Sequence, residues 1–265
     1  MMNRLNKITR KAKRFIFRKP IFPAFISQYL LIQQAADFYN LSQEDVQTRY
    51  HEYRQFHIEQ QYELRFGERK TLCFEEAFLL YLSVLQMRPK HVVEIGTQYG
   101  KSTRRIIDIL HFAGHENCKM TCFDITDQVK YFSQDEANLE LYDVTNNFKD
   151  HVLIRLKPDL IYLDARPYWL LFNVISEFLE WSKIHLSILT IHDCSPLLYN
   201  PRSQIKKEEA KKITSQTGVW ERHVLSELFQ TPNNTLDDFN SPTHRLRIFN
   251  TPHGLSIISP KKEKL

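Results

Sequence analysis

Four carboxylates stand at or just after the ends of four short apolar runs, and that placement is the first sign of chemistry. They are Glu94 in Val92-Val93-Glu94-Ile95, Asp124 after Met120-Thr121-Cys122-Phe123, Asp164 after Leu160-Ile161-Tyr162-Leu163, and Asp193 after Ile188-Leu189-Thr190-Ile191-His192. A carboxylate can hold an ammonium group, accept hydrogen bonds from a pair of hydroxyls, or take a proton from a reacting hydroxyl. In an open parallel sheet the carboxyl ends of the strands share one edge with the ligand, so the four acids are expected to converge there. His192, beside Asp193, is a candidate general base oriented by Asp193 or Asp164. It reads equally as a histidine packed under the strand edge.

The elements that must position these groups centre on residues 91–110. The β-branched run Val92 to Ile95 suits a buried strand. Gly96 and Gly100, two of only six glycines in the chain, frame a tight loop. Ser102 or Thr103 is then expected to cap a helix whose inner face is Ile106, Ile107 and Leu110. A helix start facing such a loop offers free N–H groups to an anionic part of a ligand. Gly96 to Ser102 approaches a phosphate-binding P-loop, but that motif needs four residues between its glycine and the Gly-Lys pair, and three stand here. Glu94 would also set a carboxylate against the phosphates. A dinucleotide fingerprint fails for want of a third glycine at the right spacing.

Val-Val-Glu-Ile-Gly-Thr-x-x-Gly-x-Ser-Thr closely resembles motif I of the class I S-adenosylmethionine-dependent methyltransferases, in the variant whose middle glycine is a threonine. The resemblance implies an α/β fold: a Rossmann-like seven-stranded methyltransferase sheet with a terminal β-hairpin, preceded here by an N-terminal helical extension. It implies S-adenosylmethionine as cofactor. Glu94 would hold its methionine amino end, and Gly96, Thr97, Tyr99, Gly100, Ser102 and Thr103 would form the loop along it. Asp124 would take the ribose hydroxyls. Asp143, after a third strand at Leu139 to Tyr142, would reach the adenine amino group or cap the following helix. Lys101 reads as a solvated residue of the first helical turn. His192, Asp193 and Asp164 are the catalytic candidates, for O-methylation of a small molecule or saccharide. Divalent-metal relatives carry Asp after strand four and Asp-Asn after strand five, whereas this chain has Asp164-Ala165-Arg166 and His192-Asp193-Cys194. Metal dependence is therefore open, and Arg166 or His192 is the alternative means of neutralising the two acids.

The rest of the chain sets the context. Three segments are expected: a basic arm over residues 1–22, a helical extension over 23–88, and the Rossmann-like domain over 89–265. The extension reads as three helices, with Ser42 and Asp45 as a capping box. Eight cations, Arg4 to Lys19, precede the first acid at Asp37, against a whole-chain net charge of +5, so the remainder is net acidic by three. That distribution argues against a nucleic-acid-binding body. With Leu5, Ile8, Ala12 and Phe15 on one face, residues 1–19 form an amphipathic basic helix suited to an anionic membrane surface, a transit peptide or a solvated arm. The apolar run that follows is broken by Pro23 and Gln28 and fits neither a secretory signal nor a membrane span. Four cysteines follow no disulfide framework, which favours a reducing, cytoplasmic setting. His111, His115, Cys118 and Cys122 match no standard zinc spacing. Lys206 to Lys212 reads as a solvated helix face, 231–242 as a polar loop, and His244 to Ser259 as a hairpin around Thr-Pro-His-Gly. Two rivals stand beside the methyltransferase: a P-loop-like nucleotide enzyme, and a non-catalytic protein of cofactor fold that acts through its basic arm.

Overall fold

The computed structural model describes residues 26–66, 72–195, 220–232 and 235–261. The basic arm and the Lys206 to Lys212 stretch lie outside these residues. No helix among the described residues is long and apolar enough to cross a membrane.

Eight strands form one sheet: β1 His91–Ile95, β2 Lys119–Asp124, β3 Asn138–Leu141, β4 Leu160–Leu163, β5 Ile188–Ile191, β6 Asp238–Asn240, β7 His244–Phe249 and β8 Leu255–Pro260. Their order is β3-β2-β1-β4-β5-β8-β7-β6. The first five run parallel, and β8 joins β5 antiparallel. This is the Rossmann-like sheet with the expected terminal hairpin, β7–β8. One short strand is added at the edge, because Asp238–Asn240, expected as loop, pairs antiparallel with β7. The order reverses beside β1, which lies between β2 and β4, and a crevice at this switch point is where open α/β sheets take ligands.

Strand alternation divides the core. Val92, Cys122, Leu160 and Tyr162 face one layer, while Val93, Phe123, Ile161 and Leu163 face the other. Both faces are covered, which is why these strands read as continuous apolar runs. The first layer holds α1 Gln28–Tyr39, α2 Gln43–Gln60, the short α3 Tyr62–Phe66, α4 Phe74–Met87 and α5 Lys101–Phe112. Among its described residues the extension thus has four helices where three were expected. Gln61, with φ 51°, ends α2 in a left-handed turn before α3 begins. Ser42 caps α2 by accepting the Asp45 N–H at 3.0 Å. The extension shares one continuous apolar cluster with the sheet, reaching from Leu31 and Tyr53 to Val92 and Ile257. The second layer contains α6 Tyr168–Trp181 and α7 Glu221–Leu228.

Candidate active site

Where β1 ends, Gly96 has φ 91°, and a Cβ there would overlap the Asp164 carbonyl at the end of β4. Only glycine lets the two strand ends close together. Gly100, with φ 79°, is the N-cap of α5. Ser102 and Thr103 are not caps as expected: they lie inside the first turn, and their hydroxyls turn back to the sheet. Ser102 donates to Glu94 Oε1 at 2.5 Å, Thr103 donates to Glu94 Oε2, and Thr97 donates to the same oxygen at 3.4 Å.

Glu94 is therefore placed differently from the expectation. Alternation puts it on the face of Val92, beneath α5, opposite Cys122 and Tyr162. It is fully buried. Burial, outweighing its hydroxyl donors, pushes its pKa to about 7. It braces the loop from below and has no surface toward the cleft.

The other strand-end acids do line one cleft of about 970 Å³, with Thr97, Tyr99 and Ser102 on its wall. Its size suits a small-molecule ligand. Asp124 Oδ2 accepts the Gln98 N–H at 2.7 Å and Oδ1 accepts the Thr126 N–H at 2.9 Å, so the carboxylate is fixed and keeps lone pairs for a ligand. Asp143 accepts the Thr145 N–H at 2.9 Å, the capping alternative, and its residue also lines the cleft. Lys101 is not solvated: its ammonium donates to the Phe66 carbonyl at 2.7 Å and ties α3 to the loop.

At the far end of the cleft lie Asp164, Arg166, His192, Asp193 and His253. Arg166 donates to Asp193 Oδ2 at 2.5 Å and stands 4.0 Å from the buried Glu221. His192 is buried, with Nδ1 3.4 Å from both Asp164 and Asp193 and Nε2 3.3 Å from Glu76. Burial would lower its pKa, but Asp164 and Glu76 outweigh this and hold it well above the ordinary value. A carboxylate near each ring nitrogen favours the protonated ring and works against the expected role as a base. Burial raises the Asp164 carboxyl, yet His192 and then Arg166 bring it below the ordinary range. Asp164 keeps about a third of its side chain exposed. Burial likewise raises Glu76, and its contacts with His192 and His253 bring it well below the carboxylate range. Glu76 and His253 were not expected at the site: one sits in the apolar stripe of α4, the other in the β7–β8 turn.

One ligand atom each from Asp164, His192 and Asp193 lie within 4.8 Å of one another. A hard cation such as Mg²⁺ wants an oxygen cage. Here one of three donors is a ring nitrogen and an Asp193 oxygen is taken by Arg166. The set is thus a poor oxygen cage for such an ion, and Arg166 and His192 stand beside the two acids as the alternative counter-charges.

The chain matches no family model, and no curated protein matches it. Among solved structures it is similar to the S-adenosylhomocysteine-bound methyltransferase PaMTH1 of Podospora anserina, at 12% identity over 96% of both chains with a TM-score of 0.48. It is similar also to a putative caffeoyl-CoA O-methyltransferase of Staphylococcus aureus, at 14% identity over 70% of this chain and 82% of that one, TM-score 0.47. A putative O-methyltransferase of Klebsiella pneumoniae gives 13% identity over 95% and 97%, TM-score 0.44.

Proposed function

We propose that the chain is a class I S-adenosylmethionine-dependent methyltransferase acting on a hydroxyl of a small molecule, a saccharide among the candidates. The observation that carries this reading is the meeting of the Gly96–Gly100 loop, Asp124, Asp164 and Asp193 along one cleft at the switch point of the sheet. The cofactor supplies an electrophilic methyl group on a sulfonium. Asp124 would hold its ribose hydroxyls and Asp143 its adenine amino group, with Gly96, Thr97 and Tyr99 of the loop along it. Glu94, Ser102 and Thr103 act from beneath by fixing the loop.

At the acceptor end Asp164 is the candidate proton acceptor, since its side chain is more exposed than that of Asp193, 35% against 14%. His192 is buried with both ring nitrogens facing carboxylates, and holds Asp164 in place. Arg166 keeps Asp193 from competing with it. Asp164 would accept the proton of the acceptor hydroxyl, while the sulfonium, when bound, would supply the methyl group to that oxygen and leave as the neutral thioether, its sulfur keeping the electrons of the broken S–CH3 bond.

The P-loop rival needs loop amides that are free to cradle phosphate. Gly96 N donates to the Phe123 carbonyl at 2.9 Å, Gln98 N to Asp124, and Gly100 N to the Thr97 carbonyl at 2.8 Å, so three of them are already committed. Transfer of labelled methyl from S-adenosylmethionine to a panel of hydroxylated acceptors tests the proposal. Turnover on none of them, in protein that binds the cofactor, favours the non-catalytic reading.

A further inference from the structure

Behind His192, away from the reacting edge, the start of α4 meets the β7–β8 turn. Cys73, Glu76 and His253 each bring one ligand atom there, all within 4.8 Å of one another. Glu76 is fully buried, while Cys73 and His253 are half-buried. His253 also lines the cleft, which gives the cluster an access route.

The bonding around Glu76 is uneven. Oε1 accepts the Thr251 hydroxyl at 2.8 Å and the His253 N–H at 2.9 Å, a complete set. Oε2 faces three nitrogens: Cys73 N at 3.0 Å, His192 Nε2 at 3.3 Å and His253 Nδ1 at 3.3 Å. A carboxylate oxygen has two lone pairs, and charge-assisted N–H contacts are normally shorter, at about 2.7–2.9 Å. Filling both long contacts with protons would also set two imidazolium rings 5.1 Å apart between centroids in a buried place. A separation of about 3.3 Å is instead the edge of a tetrahedron whose centre lies about 2.0–2.1 Å from nitrogen and oxygen donors, the spacing zinc imposes.

We propose that Cys73, Glu76 and His253 form a site for a borderline divalent cation of the zinc class. Cys73 supplies sulfur, His253 Nδ1, and Glu76 Oε2; the fourth position is open toward His192. The donor set is soft and mixed, which selects zinc or cobalt over magnesium or calcium. Thr251 and the His253 N–H hold the other Glu76 oxygen, as partners behind a ligand do. Binding would convert the Cys73 thiol to a thiolate and release its proton to solvent. The ion would clamp the helical extension to the sheet's terminal hairpin, behind the acceptor end of the cleft.

The test uses the full chain, stripped with a chelator and titrated with Zn²⁺ against a chromophoric competitor, then with Co²⁺. One equivalent should bind, with a sulfur-to-cobalt charge-transfer band and the intense visible bands of a four-coordinate ion. Cys73→Ser, which keeps a side chain able to cap α4, should abolish the charge-transfer band and weaken Zn²⁺ binding at least a hundredfold. His253→Ala should weaken it similarly, while Cys118→Ser should change nothing. Absence of stoichiometric binding, or affinity untouched by Cys73→Ser and His253→Ala, overturns the proposal. Neither result depends on methyl transfer, so S-adenosylmethionine binding measured on the same samples is judged separately.

Discussion

Ser102 donates its hydroxyl to Glu94 at 2.5 Å, joining the first turn of α5 to β1 beneath the Gly96–Gly100 loop. The bond is made to a carboxylate that burial has pushed to about 7 from an ordinary 4.5. The folded chain therefore keeps this proton over a range where the unfolded chain has lost it. Stability contributed here is present below about pH 4.5 and falls as pH rises through about 7, by about 3 kcal/mol in all. Glu94→Gln should remove that part of the slope in denaturant titrations across this range. Parallel curves for the two proteins would mean that Glu94 titrates normally.

Asp124 is positioned by two backbone N–H groups, so a variant must spare the loop to report on the ligand. Asp124→Asn keeps the shape and removes the charge. It should weaken S-adenosylmethionine binding by roughly 1.5–3 kcal/mol, on the order of tenfold or more, by calorimetry. Unchanged affinity in a folded variant removes Asp124 from the ribose.

Arg166 pairs with Asp193 at 2.5 Å, the contact that the proposed metal-free site relies on. Arg166→Gln should lower kcat/KM roughly ten- to a hundredfold, as expected for loss of a charge-assisted contact of about 1.5–3 kcal/mol, with cofactor affinity kept. Methyl transfer should also survive a chelator. Activity lost to chelation and restored by Mg²⁺ would show that a cation, not the guanidinium, balances Asp164 and Asp193.

The basic arm lies outside the described residues and its charge pattern gives a separate expectation. Deleting residues 1–19 should leave cofactor affinity unchanged and abolish sedimentation with acidic liposomes at low salt. Full-length protein that never sediments makes the arm a solvated or processed segment.

Most of what positions the cleft was readable in the chain. The parallel strands are buried on both faces and so spell short apolar runs, and the tight turns after β1 need glycine at Gly96 and Gly100. Residues whose partners are distant in sequence were not readable. Glu76 sits between Phe74 and Phe78 with nothing to mark it, and its partner His253 is 177 residues away. Glu94 carried a usable signal, because period-two alternation already puts it on the face of Val92. The motif suggested the ligand instead. Strand β6 was not readable because three residues, Asp238–Asn240, with one apolar member are too few to show an alternation.

Calorimetric titration of the full chain with S-adenosylmethionine, and separately with ATP, tests the central claim most directly. One equivalent of S-adenosylmethionine or its demethylated product should bind, and ATP should not compete. ATP binding with no heat from S-adenosylmethionine would contradict the account and return the loop to a nucleotide enzyme.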